Sequence, residues 1–370
     1  MNIIDRFNRN IKKTVQPDKV NAPDKVNAPD KVNAPDKVNA PDKVNAPDKV
    51  NAPDKVNAPD KVNYNRFNYY IKNWTQPITV TVPEHAKTFK RNKLYYYKGL
   101  DDNFNDDNNN KELISCYNNS FWWCKKYDQG DMSVIDIPCL TISADGIDNH
   151  GLPALVKVRY INNDNGGILC PVEYNRHWDY KRSLSIDDIK WTDKINTCIW
   201  RGVPTGIQDH GSPPCEWNNL RMKFCYKYRG KYDVGINCNW DKWDTSYVKP
   251  SLNLKEMLQY KYQISIPGND KDSGINWKLA SNSVVLMAKP TIESWLMEGL
   301  LRPYIHYIPL KDDYSDLDEI IDWCRHNDKK CQEIVRNANN FMKQFENIDV
   351  EKHLFKMIKK YYSEKFTFIQ

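Results

Sequence analysis

Apolar residues fall in short runs separated by polar, turn-forming clusters, and the runs change character along the chain. Beyond residue 64 they occupy 78–82, 134–142 and 155–160, each of strand length. Between them lie a polar loop rich in Asn and Asp at 103–110 and an aromatic segment opening at Asn118-Asn119-Ser120-Phe121-Trp122-Trp123, which reads as helix or core. After Pro171 the pattern alternates. It predicts a connecting helix at 186–191, a strand at 197–200, a helix at 254–261 and strands at 262–266, 283–287 and 304–310. Helices at 316–326 and 329–345 follow, with Ser315 and Asp318 as a capping box for the first. Strands alternating with helices argue for an α/β class built on a parallel, doubly wound sheet.

The first sixty residues break this pattern. Pro17, Pro23, Pro29, Pro35, Pro41, Pro47, Pro53 and Pro59 each open a Pro-Asp-Lys-Val unit, one every six residues. Proline at that spacing, with little apolar content, predicts an extended, disordered linker over 17–63, preceded by an N-terminal segment, 1–16. A passive spacer is the plain reading, since a solenoid needs larger units with an apolar face to stack. The flanks say more: residues 5–17 match residues 65–77 at seven of thirteen positions. The array therefore reads as an expanded insertion within a duplicated segment. The 308 residues from Asn63 onward suit two half-domains of about 130 to 170 residues each, divided at 64–185 and 186–370.

The net charge of +6 changes this picture little. Each hexamer is neutral, the N-terminal segment carries Arg6, Arg9, Lys12 and Lys13 against Asp5, and the rest is spread without a basic face, so nucleic acid is not expected as a partner. Ten cysteines include no Cys-x-x-Cys pair, so no metal site is expected. Residues 1–16 lack the apolar core of a signal peptide and no apolar run is long enough to span a bilayer, which predicts a reducing, cytoplasmic setting without an integral membrane segment.

The candidate chemistry sits where predicted strands end. Pro267-Gly268-Asn269-Asp270 breaks the strand at 262–266 before a helix, and in open α/β sheets ligands bind at such loops and helix N-termini. Trp200-Arg201-Gly202-Val203-Pro204-Thr205-Gly206 ends another strand. Arginine offers forked donors and glycines let backbone N–H groups approach phosphate oxygens, although Arg-Gly is equally a turn. Lys278, on the helix after Gly268, would either add charge or face water. Glu293 and Glu298 could accept from ribose hydroxyls or form a solvated face. Asp316-Leu317-Asp318 resembles a metal motif but lies at a predicted helix start, where Asp already favours the dipole. Ser143-Ala144-Asp145-Gly146 follows a strand and places a carboxylate where a cleft-facing base would sit, or simply makes a turn.

Taken in order, these elements resemble the family 90 glycosyltransferases over roughly residues 138–362. The matching elements include Trp200-Arg201-Gly202 with Thr205-Gly206, Arg221, Asp233-Val234-Gly235-Ile236 and Gly268-Asn269-Asp270. Trp277, Ser281-Asn282-Ser283-Val284-Val285, Glu293-Ser294-Trp295, Glu298-Gly299 and His306-Tyr307-Ile308-Pro309 continue the match. The wording is most similar to the lipopolysaccharide-modifying branch. The resemblance implies a GT-B architecture, two Rossmann-like halves facing across a cleft. The acceptor side would be 64–185 and the nucleotide-sugar side 186–370. It implies metal-independent, inverting transfer from a nucleotide sugar, a UDP-sugar as co-substrate and no other cofactor, to a hydroxyl on a glycan or protein. Asp145 would be the general base. Arg201, Gly202, Thr205, Gly206, Arg221, Gly268, Asn269, Asp270, Lys278, Ser281, Asn282, Glu293 and Glu298 would form the donor side. Two departures stand out: Asp272-Ser273-Gly274 replaces a Ser-x-Arg of the protein-modifying branch, and Asn276 stands where a lysine is common. They motivate the alternative of a catalytically inactive glycan-binding or scaffolding protein with the same fold.

Overall fold

The computed structural model describes residues 58–84, 94–97, 137–142, 147, 149–170, 187–206, 219–237 and 246–369. The expectations for residues 1–57, the Asn/Asp loop, the aromatic segment at 118–123 and the Asp145 turn lie outside these residues.

The described chain opens with helix α1 (Ala58–Ile71), so residues 59–63, the last copy of the hexamer, are helical rather than extended. Pro59 lies in the first turn, where a missing N–H costs nothing. The short front strands follow: β1 (Ile78–Thr81), β2 (Leu94–Tyr97), β3 (Cys139–Ile142), β4 (Leu155–Val156), β5 (Val158–Tyr160) and β6 (Ile168–Leu169). The apolar run at 155–160 is one strand by pattern but two in space, because it changes sheets at Lys157. Its first part joins the sheet β2-β3-β4-β6, and its second pairs antiparallel with β11 (Ile292–Ser294).

The back sheet comprises β7 (Ile195–Gly202), β8 (Asp233–Ile236), β9 (Tyr260–Ser265), β10 (Val284–Ala288) and β12 (Ile308–Leu310). They pair in parallel in the order β8-β7-β9-β10-β12. A parallel sheet is buried on both faces, and β10 shows it: Val284 and Leu286 enter one core, Val285 and Met287 the other. The first core takes Phe224 and Tyr228 of α2 (Leu220–Tyr228) and Ile321 and Cys324 of α5 (Leu317–His326). The second takes Ile275 and Leu279 of α4 (Ile275–Ala280) together with the front strands. Helix α6 (Asp328–Met342) contributes to both. The expected α/β class with a parallel, helix-flanked sheet is therefore found.

The chain ends by returning to the front. Helix α7 (Ile348–Lys365) packs on α1, and β13 (Phe366–Ile369) pairs in parallel with β1. Arg66 and Glu351, each 2% exposed, form a buried ion pair between these helices, and Arg66 also donates to Tyr70 Oη at 2.8 Å and to the Gln344 carbonyl at 3.2 Å.

Several local expectations differ. Residues 187–190 are not helical; only one 3₁₀ turn, Trp191–Asp193, forms, because the Asp188 carboxylate holds Lys194 Nζ at 2.7 Å and the Asn282 N–H at 2.6 Å. Helix α3 (Leu254–Met257) stops where Tyr260 and Lys261 enter β9. The Ser315–Asp318 box is absent, since Asp318 accepts from Tyr232 Oη at 2.7 Å; a true box caps α3, through Asn253 and Glu256. Asp316 accepts from the Lys311 N–H at 3.0 Å, a loop-closing role. Residues 304–306 turn rather than extend, with Tyr304 at φ +57°. No described helix is long and apolar enough to cross a membrane.

Candidate functional site

Strand order locates the crevice. β8 lies on one side of β7, whereas β9, β10 and β12 extend on the other, so successive connections leave in opposite directions between β7 and β9. In such sheets ligands bind outside the carboxyl ends of the two strands at this switch point. The loops there are 203–206 after β7 and 266–274 after β9. They meet through one backbone-to-side-chain bond: the Gly206 N–H donates to Asn269 Oδ1 at 2.9 Å. A Cβ at Gly268 would stand 2.7 Å from Thr205 Oγ1 and 2.9 Å from Arg221 Nη2, so only glycine permits this approach. Gly206, at φ +124°, occupies backbone space that side chains rarely enter.

Arg221 joins the two loops from α2. Its Nε donates to the Pro267 carbonyl at 3.1 Å and Nη2 to the Ile266 carbonyl at 2.8 Å, while Nη1 reaches the Val203 carbonyl at 3.0 Å and Thr205 Oγ1 at 2.7 Å. Burial lowers its pKa, partly opposed by Asp272. Asn219, which caps α2 by accepting from the Met222 N–H, adds a bond from Nδ2 to the Pro204 carbonyl at 3.0 Å.

The loop after β9 is pinned residue by residue. Asn269 holds Gly206, Asp270 is ion-paired with Lys157 and Lys271 with Glu298 at 3.0 Å. Asp272 accepts from Ser265 Oγ at 2.8 Å and from the Gly274 N–H at 2.9 Å, and it pairs with Lys278. Burial would raise the Asp272 carboxyl, yet Lys278 and Arg221 hold it below its usual range; burial pushes Lys278 down.

Thr205, Gly206, Arg221, Gly268, Asn269 and Asp270 thus lie together, and Gly202 ends β7. Other predicted roles change. Arg201 leans back along β8: Nη2 meets Asp233 Oδ1 at 2.6 Å, Nη1 the Asp233 carbonyl at 2.7 Å, and Nε the Pro250 carbonyl at 3.1 Å. Burial opposes ionisation of Asp233, but Lys249, Tyr260 and Arg201 together hold its carboxyl down to about 2. Lys278 neither faces water nor reaches outward, since its Nζ also donates to the Ile264 carbonyl at 2.9 Å. Glu293 accepts from Arg159 Nε at 2.8 Å and from Tyr69 Oη, and Glu298 from the Ser294 N–H at 2.6 Å, so both carboxylates serve internal partners rather than a solvated face.

Ser281 and Asn282 stand at the other edge of the sheet. Helix α4 returns from the loop after β9 to the start of β10, where Ser281 Oγ donates to the Lys278 carbonyl at 2.7 Å and Asn282 Nδ2 to the Ile189 carbonyl at 3.1 Å. Ser283 next to them reaches the carbonyl of Tyr260, the first residue of β9. Asp145 lies outside the described residues, three positions after β3 ends.

Sequence reasoning missed Lys157, Arg159, Tyr69 and Asn219. The signal for the first two was present: cations at alternate positions of an apolar run share one face, and buried cations are paired. It also missed Lys289, an exposed cation directly after the carboxyl end of β10, the strand beside β9.

Residues 175–368 match the family model described as Glycosyl transferase family 90. The chain is 31% identical over 216 residues to the O-glucosyltransferase LpsA of Dichelobacter nodosus, covering 57% of this chain and 63% of that protein. It is 32% identical over 186 residues to an uncharacterized protein of Invertebrate iridescent virus 6, covering 42% of this chain and 16% of that one. Protein O-glucosyltransferase 2 of Danio rerio is 28% identical over 155 residues, which is 41% of this chain and 29% of the relative. The chain therefore spans less than two thirds of the length of each of these proteins. With more than half its residues inside the family match, the chain belongs to glycosyl transferase family 90.

Proposed function

We propose that this chain is an inverting glycosyltransferase of GT-B type that moves a sugar from a nucleoside diphosphate, UDP in the first instance, to a hydroxyl on a glycan or protein. The observation that carries this reading is the meeting of Thr205-Gly206 with Gly268-Asn269 at the β7/β9 switch point, a crevice with close backbone approach suited to a diphosphate. The relatives' names make UDP-glucose the first donor to test.

In the reaction, Asp145 takes the proton of the acceptor hydroxyl and the oxygen forms a bond to the anomeric carbon. The bond from that carbon to the phosphate oxygen breaks, and the diphosphate departs with the electron pair. Arg221 contributes by fixing the two loops, and Lys289 offers an exposed positive charge after β10. Arg201 holds the strand end beneath the crevice through Asp233.

Internal pairing of Arg201, Arg221 and Lys278 favours a second reading, a glycan-binding or scaffolding protein that retains the fold without turnover. Calorimetry with UDP and UDP-glucose, followed by UDP release with candidate acceptors, separates the two. Donor binding with UDP release supports transfer. Absence of donor binding up to millimolar concentration supports the scaffold.

A further inference from the structure

Lys157 occupies an unusual place. It is the single residue between β4 and β5, where the chain leaves the front sheet for the ladder with β11. A lysine at such a point ordinarily reaches solvent. This one is 6% exposed and its Nζ pairs with Asp270 Oδ2, itself 9% exposed. Arg159, two residues on, pairs with Glu293. The front strand thus presents two cations to two carboxylates of the back half.

Asp270 is the centre of the loop that closes the crevice. On one side Asn269 holds the Gly206 N–H, and on the other Lys271 holds Glu298. Fixing Asp270 therefore fixes the carbonyl and amide directions of the loop after β9 and, through Asn269, those of the loop after β7. Lys157 is in turn placed by pairing of the preceding strand, Leu155 opposite Thr141 of β3, and β3 leads in sequence to Asp145.

We propose that Lys157 is a positioning residue that couples the front half to the nucleotide loop by holding Asp270. The binding consequence rests on the nucleotide-site reading above; the coupling itself is readable without ligand. Lys157→Met keeps the chain length and removes the charge that pairs with the buried Asp270 carboxylate. Lys157→Met/Asp270→Asn removes both charges, which relieves the destabilisation caused by removing one member of a buried ion pair.

The experiment combines amide hydrogen exchange of the full chain with calorimetry using UDP. Both variants are expected to speed exchange in peptides covering 203–206 and 266–274, with β8 and α5 unchanged, and to bind UDP about tenfold more weakly, since small misplacements of a binding group cost one to two orders of magnitude. The double variant is expected to recover melting temperature but not UDP affinity. The proposal is overturned if exchange rises only around 155–160, or if the double variant recovers affinity along with stability. Wild-type protein that fails to bind UDP, with the exchange coupling intact, would sink the nucleotide reading while leaving the coupling standing.

Discussion

The crevice end of the back sheet and the junction between front and back solve opposite problems. At the crevice, loops 203–206 and 266–268 approach one another because side chains are missing, and Arg221 satisfies carbonyls that the approach would otherwise orphan. At the junction, contact depends on large charged side chains, Lys157 with Asp270 and Arg159 with Glu293, all nine-tenths or more buried. One region relies on close backbone approach. The other excludes water and fixes geometry, because a buried charge tolerates no loss of its partner.

The sharpest way to break this comparison is chemical. Asp145→Asn is expected to lower UDP release from UDP-glucose about 10²–10⁴-fold, the scale of general-base catalysis, while calorimetric UDP affinity stays at wild-type level. Loss of both would indicate misfolding instead. Next in size is the buried pair that ties the terminal helix to the first. Arg66→Met removes the cation paired with the buried Glu351 carboxylate and is expected to cost about 3–5 kcal/mol in urea unfolding. A loss below about 1 kcal/mol, the range of an exposed pair, would mean the pair is solvated.

The crevice side is tested by two glycines. Gly268→Ala forces a Cβ to within 2.7 Å of Thr205 Oγ1 and is expected to destabilise by about 1–3 kcal/mol and to weaken UDP binding. Gly230→Ala, at φ +75° with nothing within 4 Å, is expected to cost only backbone strain of about 1–2 kcal/mol and to leave UDP affinity unchanged. Equal effects on affinity would dissolve the distinction between the two sites.

The smallest effect is electrostatic. The Asp233 carboxyl lies below its unfolded value, so its contribution is present above the unfolded pKa and disappears as pH falls from about 4 to about 2. Asp233→Asn is expected to flatten the acid limb of a melting-temperature profile over that window, with little change in its slope between pH 6 and 8. An unchanged acid limb would show that Arg201 and Lys249 do not hold this carboxylate.

Sequence pattern reached the back sheet more surely than the junction, for a physical reason. The runs at 262–266 and 283–287 are apolar and bounded by turn residues, and they fall within two residues of β9 and β10. Glycines at strand ends were likewise readable, because backbone geometry leaves a local trace. Cations within an apolar run can be read, but the identity of their partners leaves no local trace. Glu293 and Arg159 are 134 positions apart, and Lys157 and Asp270 join different halves, so their pairing depends on tertiary structure alone. Arg201 illustrates the cost of reading a motif without its surroundings: its forked donors suit phosphate equally well, but Asp233 is the neighbour. Helix propensity at 186–191 was similarly overridden, by the tertiary bonds of Asp188.

The account's central claim is that a diphosphate sits where the loops after β7 and β9 meet. UDP titrated calorimetrically into wild-type protein and into Gly268→Val tests it most directly, with circular dichroism confirming that the variant is folded. Binding to the wild type, lost when the valine side chain fills the approach between Thr205 and Arg221, is the predicted result. UDP binding of equal strength to both folded proteins, or to neither, would contradict it.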